Sequence, residues 1–230
     1  MKNEKGILYV IATPIGNLDD ISKRALEYLS SVDEVYSEDT RVTNNLLKHF
    51  DISVPLKSFN ARTETRKIEE VINKLLNGKN IGLVSDAGTP GISDPGIRLV
   101  NKALTENIKV SGAPGANAAV FALSISGIPT DSFLFEGFLP QKKGRQKKLS
   151  ELAEEERTIV LYESVYRIEK LLGELTKYMP ERFISISREL TKVFEEVWRG
   201  YPEELLKTLS EKKLKGEFVV IIAPKNFKII

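Results

Sequence analysis

The chain has 230 residues, with 34 Lys and Arg against 32 Asp and Glu, and a formal net charge of +2. With 41% hydrophobic and 29% charged residues, the composition is that of a globular protein and excludes disordered and fibrous classes. The sequence has no Cys and one His, His49, which excludes disulfides, Cys-based zinc sites and His-rich metal sites. We therefore expect chemistry without a metal.

Apolar runs and local charge indicate where the protein works. No run approaches the roughly 18 residues that a membrane span needs, and the polar start Met1 to Lys5 is unlike a signal sequence. We expect a cytoplasmic protein with no membrane contact. Five cations stand within seven residues: Lys142, Lys143, Arg145, Lys147 and Lys148. A polyanion is one candidate partner for them, and a solvated helix start is the alternative.

The first half alternates between strands and helices. Short apolar runs predict buried strands, and apolar residues at helical spacing predict helices. The predicted strands are 8–12, 34–37, 81–84 and 109–111. The predicted helices cover Ile21 to Val32, capped by Asp19 or Asp20, then 43–50, 63–76 and 97–104, the last capped by Ser93 or Asp94 with Pro95 just inside. This alternation predicts a largely parallel sheet.

The second half has a different pattern. After a turn over 112–115, an Ala-rich helix runs to Ser126, and the predicted strands are 133–138, 158–162, 183–187, 193–199 and 217–223. The strands near 185 and 196 are joined too tightly for a parallel crossover, which predicts a mixed sheet. We therefore predict two α/β domains, residues 1–112 and 116–230.

The segment Asp86 to Gly96 follows the predicted strand 81–84 directly, and five of its eleven residues are Gly or Pro. A loop of this kind at the carboxyl end of a strand lets a ligand approach bare backbone, and open α/β sheets bind ligands there. The alternative is a structural loop that only leads the chain into a helix.

Three other loops occupy corresponding positions after predicted strands: Thr13 to Asn17, Glu38 to Arg41, and Pro114 to Ala118. Taken singly, Glu38 to Arg41 is explained by solvated surface charge or a helix cap, and Pro114 to Ala118 is explained by tight helix packing. Neither G-x-G-x-x-G nor G-x-x-x-x-G-K-[ST] occurs in the chain, which disfavours a dinucleotide or P-loop site. Together with Asp86 to Gly96, the loops predict a ligand site at one edge of the first sheet.

Longer strings give a more specific indication. The strings are Tyr9 to Leu18, Ser37 to Arg41, Val84 to Gly96, Phe133 to Pro140, Tyr162 to Ser164 and Arg188 to Lys192. In this order, they resemble the ribosomal RNA small subunit methyltransferase I family of the tetrapyrrole methylase superfamily. The resemblance covers essentially the whole chain.

The resemblance implies two α/β domains of the tetrapyrrole methylase type with S-adenosylmethionine in the cleft between them. It also implies 2'-O-methylation of the ribose of a decoding-centre cytidine in 16S ribosomal RNA, and a homodimer. The implied cofactor contacts are Pro14, Asp86, Ala87, Gly88, Thr89, Ile92, Asn117, Ala118 and, more loosely, Glu163 and Glu189. The strand end Ser111 to Ala113 departs from the more apolar family pattern, which places Asn117 in doubt.

The proposed chemistry needs a base and an RNA-binding surface. A ribose 2'-hydroxyl is a poor nucleophile while protonated, so a carboxylate within reach assists as general base, and Asp39 and Glu38 are the candidates. The five cations Lys142, Lys143, Arg145, Lys147 and Lys148 suit RNA phosphates, with Phe138 or Tyr166 available for stacking. The substrate is either free ribosomal RNA or the small ribosomal subunit.

Two alternatives remain at this point. One is a methylase of a small-molecule tetrapyrrole with the same fold and cofactor, against which the basic cluster argues. The other is an RNA-binding module without catalysis, against which the four glycine-rich or polar strand ends argue. Binding of S-adenosylmethionine separates both enzymes from the module.

Overall fold

The computed structural model describes residues 4–212 and 214–229, so Met1 to Asn3 of the polar start lie outside it. The described residues form two compact units, and the division falls between Asn117 and Ala118. Within the described parts of the chain, no helix is both long enough and apolar enough to cross a membrane.

The first unit contains a parallel sheet of five strands. They are β1 (Ile7–Ile11), β2 (Glu34–Ser37), β3 (Leu56–Ser58), β4 (Ile81–Leu83) and β5 (Lys109–Ala113). The strand order is β3-β2-β4-β1-β5, and every neighbouring pair is parallel, which confirms the predicted parallel sheet. Strand β3 was not predicted because its three residues, none fully buried, are too few to show a period.

Helices cover both faces of this sheet. They are α1 (Lys23–Ser31), α2 (Thr40–His49), α3 (Glu64–Leu76) and α4 (Ile97–Thr105). On one face, Leu29 of α1 and Leu47 of α2 pack with Ile11 of β1. On the other face, Ile72 of α3 and Leu99 of α4 share a core cluster with Leu8. The helices that follow β1 and β4 therefore lie on opposite faces of the sheet.

Two predicted helix caps are wrong. Helix α1 is capped by Ser22, whose Oγ accepts from Ala25 N at 3.2 Å, while Asp19 and Asp20 belong to a preceding 3₁₀ turn. Neither Ser93 nor Asp94 caps α4, and Pro95 is outside it. The cap is Gly96 at φ 131°, whose N–H donates to Glu64 Oε1 at 3.2 Å. A side chain from α3 thus takes the place of the predicted local cap.

The second unit contains a mixed sheet. Its strands are β6 (Phe133–Phe138), β7 (Thr158–Ser164), β8 (Ile184–Arg188), β9 (Glu196–Gly200) and β10 (Glu217–Ile222), in the order β6-β7-β10-β8-β9. Only β6 and β7 pair in parallel, and β8 and β9 are antiparallel, as their short connection predicted. The predicted start of β9 at Val193 is wrong, because that residue is 93% exposed in the connection.

The helices of the second unit are α5 (Ala118–Ser126), α6 (Arg145–Ala153), α7 (Ile168–Tyr178) and α8 (Pro202–Ser210). One core cluster joins Leu149 of α6, Leu172 of α7 and Leu205 of α8 to the strand residues Ile159 and Ile184. Each such buried leucine contributes about 2–5 kcal/mol relative to alanine. This packing fixes α6 and α7 against the same face of the sheet.

Candidate active site

The candidate site begins at the carboxyl ends of β1 and β4. These two strands are hydrogen-bonded neighbours, and the chain leaves them towards opposite faces of the sheet. Open α/β sheets bind ligands at such a switch point, because the diverging loops leave a crevice there. The loops after β1 and β4 are two of the four loops that the sequence predicts to form a ligand site.

The two loops are tied together through their backbones. Thr13 N donates to Gly88 O at 2.9 Å, and Gly88 N donates to Thr13 O at 3.1 Å. Gly88 has φ 82°, and a Cβ there would lie 3.3 Å from Ile15 Cγ2 and 3.5 Å from Ala116 O. Glycine at this position therefore relieves both backbone strain and crowding.

The loop after β5 joins the same surface. Thr89 Oγ1 donates to Ala116 O at 3.2 Å, and Ala12 N donates to Ala113 O at 3.2 Å. A Cβ at Gly115 would lie 2.9 Å from Ala12 Cβ, so the small residue here serves close packing of the loop. Three of the four loops identified in the sequence thus form one continuous edge.

Three carboxylates lie along the edge formed by the ends of β2 and β4. Burial raises the pKa of Glu38, and the negative charges of Asp94 and Asp86 raise it further. Burial is also the main cause of the raised pKa of Asp86 and of Asp94. Their charges favour a cationic ligand, and the raised pKa makes Glu38 a stronger proton acceptor than an ordinary Glu.

Asp39 has a different environment from Glu38. It caps α2, its Oδ1 accepts from Arg41 N at 2.8 Å, and its Oδ2 lies 2.6 Å from Arg41 Nη2. Hydrogen bonds from Arg41 lower the pKa of Asp39 to about 2. A carboxylate so stabilised in its charged form is a weak base. Of the two candidate bases, the structure therefore favours Glu38.

No group of three or more His, Cys, Asp or Glu side chains in the described residues is arranged to hold a metal ion. The three carboxylates Glu38, Asp86 and Asp94 are therefore not arranged as a metal site either. What the arrangement offers instead is exposed loop backbone beside partly buried carboxylates.

Comparison with known proteins identifies the family. The profile of the Tetrapyrrole (Corrin/Porphyrin) Methylases matches residues 7–206. A protein of Halalkalibacterium halodurans named ribosomal RNA small subunit methyltransferase I is 45% identical over 229 residues, which cover 99% of this chain and 79% of that protein. The protein of the same name in Synechocystis is 48% identical over 95% of this chain and 79% of its own length. The chain belongs to the ribosomal RNA small subunit methyltransferase I family, within the tetrapyrrole methylases.

The chain is therefore a methyltransferase, and solved structures agree with its fold. Uroporphyrin-III C-methyltransferase from Thermus thermophilus, complexed with S-adenosylhomocysteine, has a TM-score of 0.67. The match covers 95% of this chain and 97% of that one at 15% sequence identity. This likeness confirms the predicted class of two α/β domains of the tetrapyrrole methylase type.

The structure brings most of the predicted cofactor contacts of this methyltransferase together in the first unit. Pro14 is on the β1 loop, and Asp86, Ala87, Gly88, Thr89 and Ile92 are on the β4 loop. Ala87 is exposed, and Ile92 is 39% exposed, so both have surface free for a ligand. Asn117 and Ala118 are the consecutive residues at which the division between the units falls.

Glu163 occupies a different kind of position. Its side chain on β7 is fully buried, 2.8 Å from Arg167 Nε and 3.8 Å from Arg145 Nη2. Glu189, the other looser match, has φ 50° and lies 2.8 Å from Lys192 Nζ. Both carboxylates are anions of ion pairs in the second unit. We do not retain either among the proposed cofactor contacts.

The five cations of the basic cluster separate into two groups. Arg145 is 3% exposed, and its Nη2 lies 2.7 Å from Glu174 Oε2. Lys148 is partly covered and lies 2.9 Å from Glu136. Lys142, Lys143 and Lys147 are exposed. Its burial and its ion pair hold Arg145 away from RNA phosphates, and we do not retain it among the proposed RNA contacts.

Sequence reasoning missed two features of the site. The sequence indicates Thr13 only as part of the loop after the first strand and not as a residue that bonds to the β4 loop. Asp94 was interpreted as a helix cap, although its charge raises the pKa of Glu38. The clustering of carboxylates after neighbouring strands was the available signal for Asp94. No local pattern signals the contact of Thr13.

Proposed function

We propose that this chain transfers a methyl group from S-adenosylmethionine to the ribose 2'-hydroxyl of a decoding-centre cytidine in 16S ribosomal RNA. The observation that carries the proposal is the membership of the ribosomal RNA small subunit methyltransferase I family together with the switch-point site of the first unit. We further propose that the protein acts in the cytoplasm as a homodimer, which the family resemblance implies.

The residues of the switch point fit S-adenosylmethionine. That molecule carries a sulfonium and an ammonium, and both cations are favoured near the carboxylates of Asp86 and Asp94. Gly88 leaves room over the backbone between Ile15 and Ala116, where a side chain would crowd the loop. Pro14, Ala87, Gly88, Thr89 and Ile92 would hold the cofactor by their backbone and apolar surface. The resemblance adds Asn117 and Ala118, which follow the β5 loop in the chain.

Methyl transfer from a sulfonium is an in-line displacement, so alignment of the two reactants supplies much of the rate. When bound, S-adenosylmethionine supplies the methyl group and leaves as its thioether. The Thr13 and Gly88 backbone bonds hold the two loops in one geometry and so limit the motion of whatever they bind.

Glu38 accepts the proton in this proposal. As the 2'-oxygen forms its bond to the methyl carbon, its proton passes to the Glu38 carboxylate. The methylated oxygen therefore carries no positive charge. The raised pKa of Glu38 suits this role, because proton transfer is most efficient when the pKa of the base approaches the working pH. General-base assistance of this kind contributes roughly 10²- to 10⁴-fold to a rate.

The methyl acceptor is tested by offering the candidate substrates to the protein in separate incubations. The purified protein is incubated with methyl-labelled S-adenosylmethionine and either small-subunit ribosomal RNA, as free RNA or as the assembled subunit, or a reduced porphyrin. Label in RNA supports the proposal, and the better of the two RNA forms is the substrate. Label in the porphyrin alone assigns the chain to tetrapyrrole methylation instead. Failure of the protein to bind labelled cofactor at all would contradict both.

A further inference from the structure

An aromatic and basic surface lies at the carboxyl ends of the two parallel strands of the second unit. Phe138 ends β6, and Tyr166 follows β7, with exposures of 52% and 93%. Exposed aromatic side chains at the ends of neighbouring strands form the kind of apolar surface that marks an interaction site. We call this region, together with Lys142, Lys143, Lys147 and Lys170, the α6–α7 surface.

The Phe138 ring has two neighbours that hold it in place. Its centroid lies 5.7 Å from that of Tyr162, and the Arg167 guanidinium carbon lies 5.9 Å from its centroid. Arg167 is itself fixed, because its Nε lies 2.8 Å from the buried Glu163 carboxylate. Phe138 is therefore a fixed ring with a cation over it and about half of its surface exposed, and an exposed aromatic ring of this kind suits stacking of a nucleic-acid base.

Helix α7 connects this ring to a basic pocket. Arg167, Lys170 and Glu174 follow at spacings of three and four residues, so they lie along one face of the helix. Lys170 and Glu174 line a pocket of about 490 Å³ together with Lys142, Arg145 and Lys147 of the α6 region. The pocket and the aromatic ring are thus parts of one continuous surface of the second unit.

The charges of the pocket are unequally neutralised. Glu174 forms an ion pair with Arg145, with 2.7 Å between Glu174 Oε2 and Arg145 Nη2. Lys142, Lys143 and Lys170 form no ion pair with any residue that the structure describes. The exposed pair of Lys147 and Glu151 at 3.8 Å is worth at most about 1 kcal/mol. The lining of the pocket therefore keeps a positive charge available to an anion.

We infer that the α6–α7 surface binds an unpaired RNA strand, with a base stacked on Phe138 and the phosphates along Lys142, Lys143, Lys147 and Lys170. This inference rests on the proposed RNA substrate and deepens it by naming the strand state. A base inside an A-form duplex is already stacked and paired, so only an unpaired base reaches the Phe138 ring. A patch of lysines alone would not discriminate in this way.

The inference is tested by binding without turnover. A short fluorescein-labelled RNA of mixed sequence and no self-complementarity is titrated with the full chain, and the same RNA annealed to its complement is the duplex control. Phe138→Ala should weaken binding of the single strand by roughly 5- to 150-fold, the range for loss of one stacked base. Phe138→Tyr should restore it. Phe133→Ala at the other end of β6 is the matched aromatic control and should bind as the parent does.

The basic part of the surface is tested by its salt dependence. Each phosphate contact contributes about 0.7 to the slope of log affinity against log salt for a single strand. The double variant Lys142→Gln with Lys170→Gln should therefore make the salt dependence less steep, with an absolute slope smaller by about 1.4. Lys177→Gln, an equal charge change further along α7, should leave the slope unchanged. Thermal unfolding of every variant checks that the fold is intact.

The outcomes separate this inference from the proposed function. Parental binding by Phe138→Ala, an unchanged slope in the double lysine variant, equal affinity for the duplex, or no RNA binding by the parent would each overturn the inference. If the parent methylates ribosomal RNA while the surface variants bind and methylate as it does, the surface is wrong and the proposed function stands. If the surface binds single strands but no RNA is methylated, the proposed function is wrong.

Discussion

The backbone N–H of Asp39 donates to the carboxylate of Asp86 at 2.8 Å. This bond joins the loop after β2 to the loop after β4, which are neighbouring strands of the parallel sheet. Glu38 is affected by the negative charges of Asp86 and Asp94. Arg41 forms its ion pair with Asp39 instead. The two adjacent carboxylates consequently have pKa values shifted in opposite directions, and this separates their roles.

We predict that Glu38→Gln lowers the turnover number by roughly 10²- to 10⁴-fold, because the substitution keeps the shape of the side chain and removes its proton-accepting charge. Single-turnover methylation at saturating cofactor measures the chemical step without interference from product release. Cofactor affinity should stay close to that of the parent.

Asp39→Asn is the matched control, since it removes one carboxylate at the next position. Its main effect should be the release of Arg41, because Asn caps a helix about as well as Asp does. A turnover deficit in Asp39→Asn that equals or exceeds that of Glu38→Gln would exchange the roles of the two residues. If neither variant is slow, the reaction depends on alignment alone.

The pH dependence of turnover should follow the ionisation of Glu38. The pKa of Glu38 is raised, so the rate should increase with pH through a value above that of an ordinary Glu and then level off. Asp94→Asn removes a nearby negative charge, so we expect the acidic limb to move to lower pH. A limb that stays in place, or moves to higher pH, would show that Asp94 does not act on the catalytic base.

The β4 loop should be sensitive to any side chain at Gly88. Gly88→Ala places a Cβ at 3.3 Å from Ile15 Cγ2 and should weaken binding of S-adenosylmethionine, measured by equilibrium dialysis. Gly127→Ala is the control, because Gly127 has a similar φ of 77° but no atom within 4 Å of the added Cβ. Both should lose stability of about 1 kcal/mol from backbone strain. Equal cofactor affinity in the two variants would remove the loop from the site.

Arg145 should behave as a structural residue. Arg145→Gln leaves the buried Glu163 and the partly buried Glu174 without their shared cation, and the expected loss is about 3–5 kcal/mol in the free energy of unfolding. Lys143→Gln removes the same charge from an exposed position and should change stability by less than about 0.5 kcal/mol. Urea unfolding compares the two variants. Equal stability in both would return Arg145 to the candidate RNA contacts.

Local patterns of the sequence predicted the parallel first sheet and the mixed second sheet, because each long strand and helix carries its own period. They did not predict β3, whose three residues are too few to show a period. Contacts between distant residues were equally inaccessible. Arg145 meets Glu174 at a separation of 29 residues, and its burial could not be inferred from a run of cations. The choice of Glu38 over Asp39 likewise depends on which carboxylate Arg41 occupies.

The position of the transferred methyl group tests the central claim most directly. Small-subunit ribosomal RNA treated with the protein and labelled S-adenosylmethionine is digested to nucleosides and resolved by mass spectrometry. We predict label in 2'-O-methylcytidine for the parent and a strongly reduced amount for Glu38→Gln. A methyl group on a base, on a ribose other than that of cytidine, or on no RNA nucleoside would contradict the account.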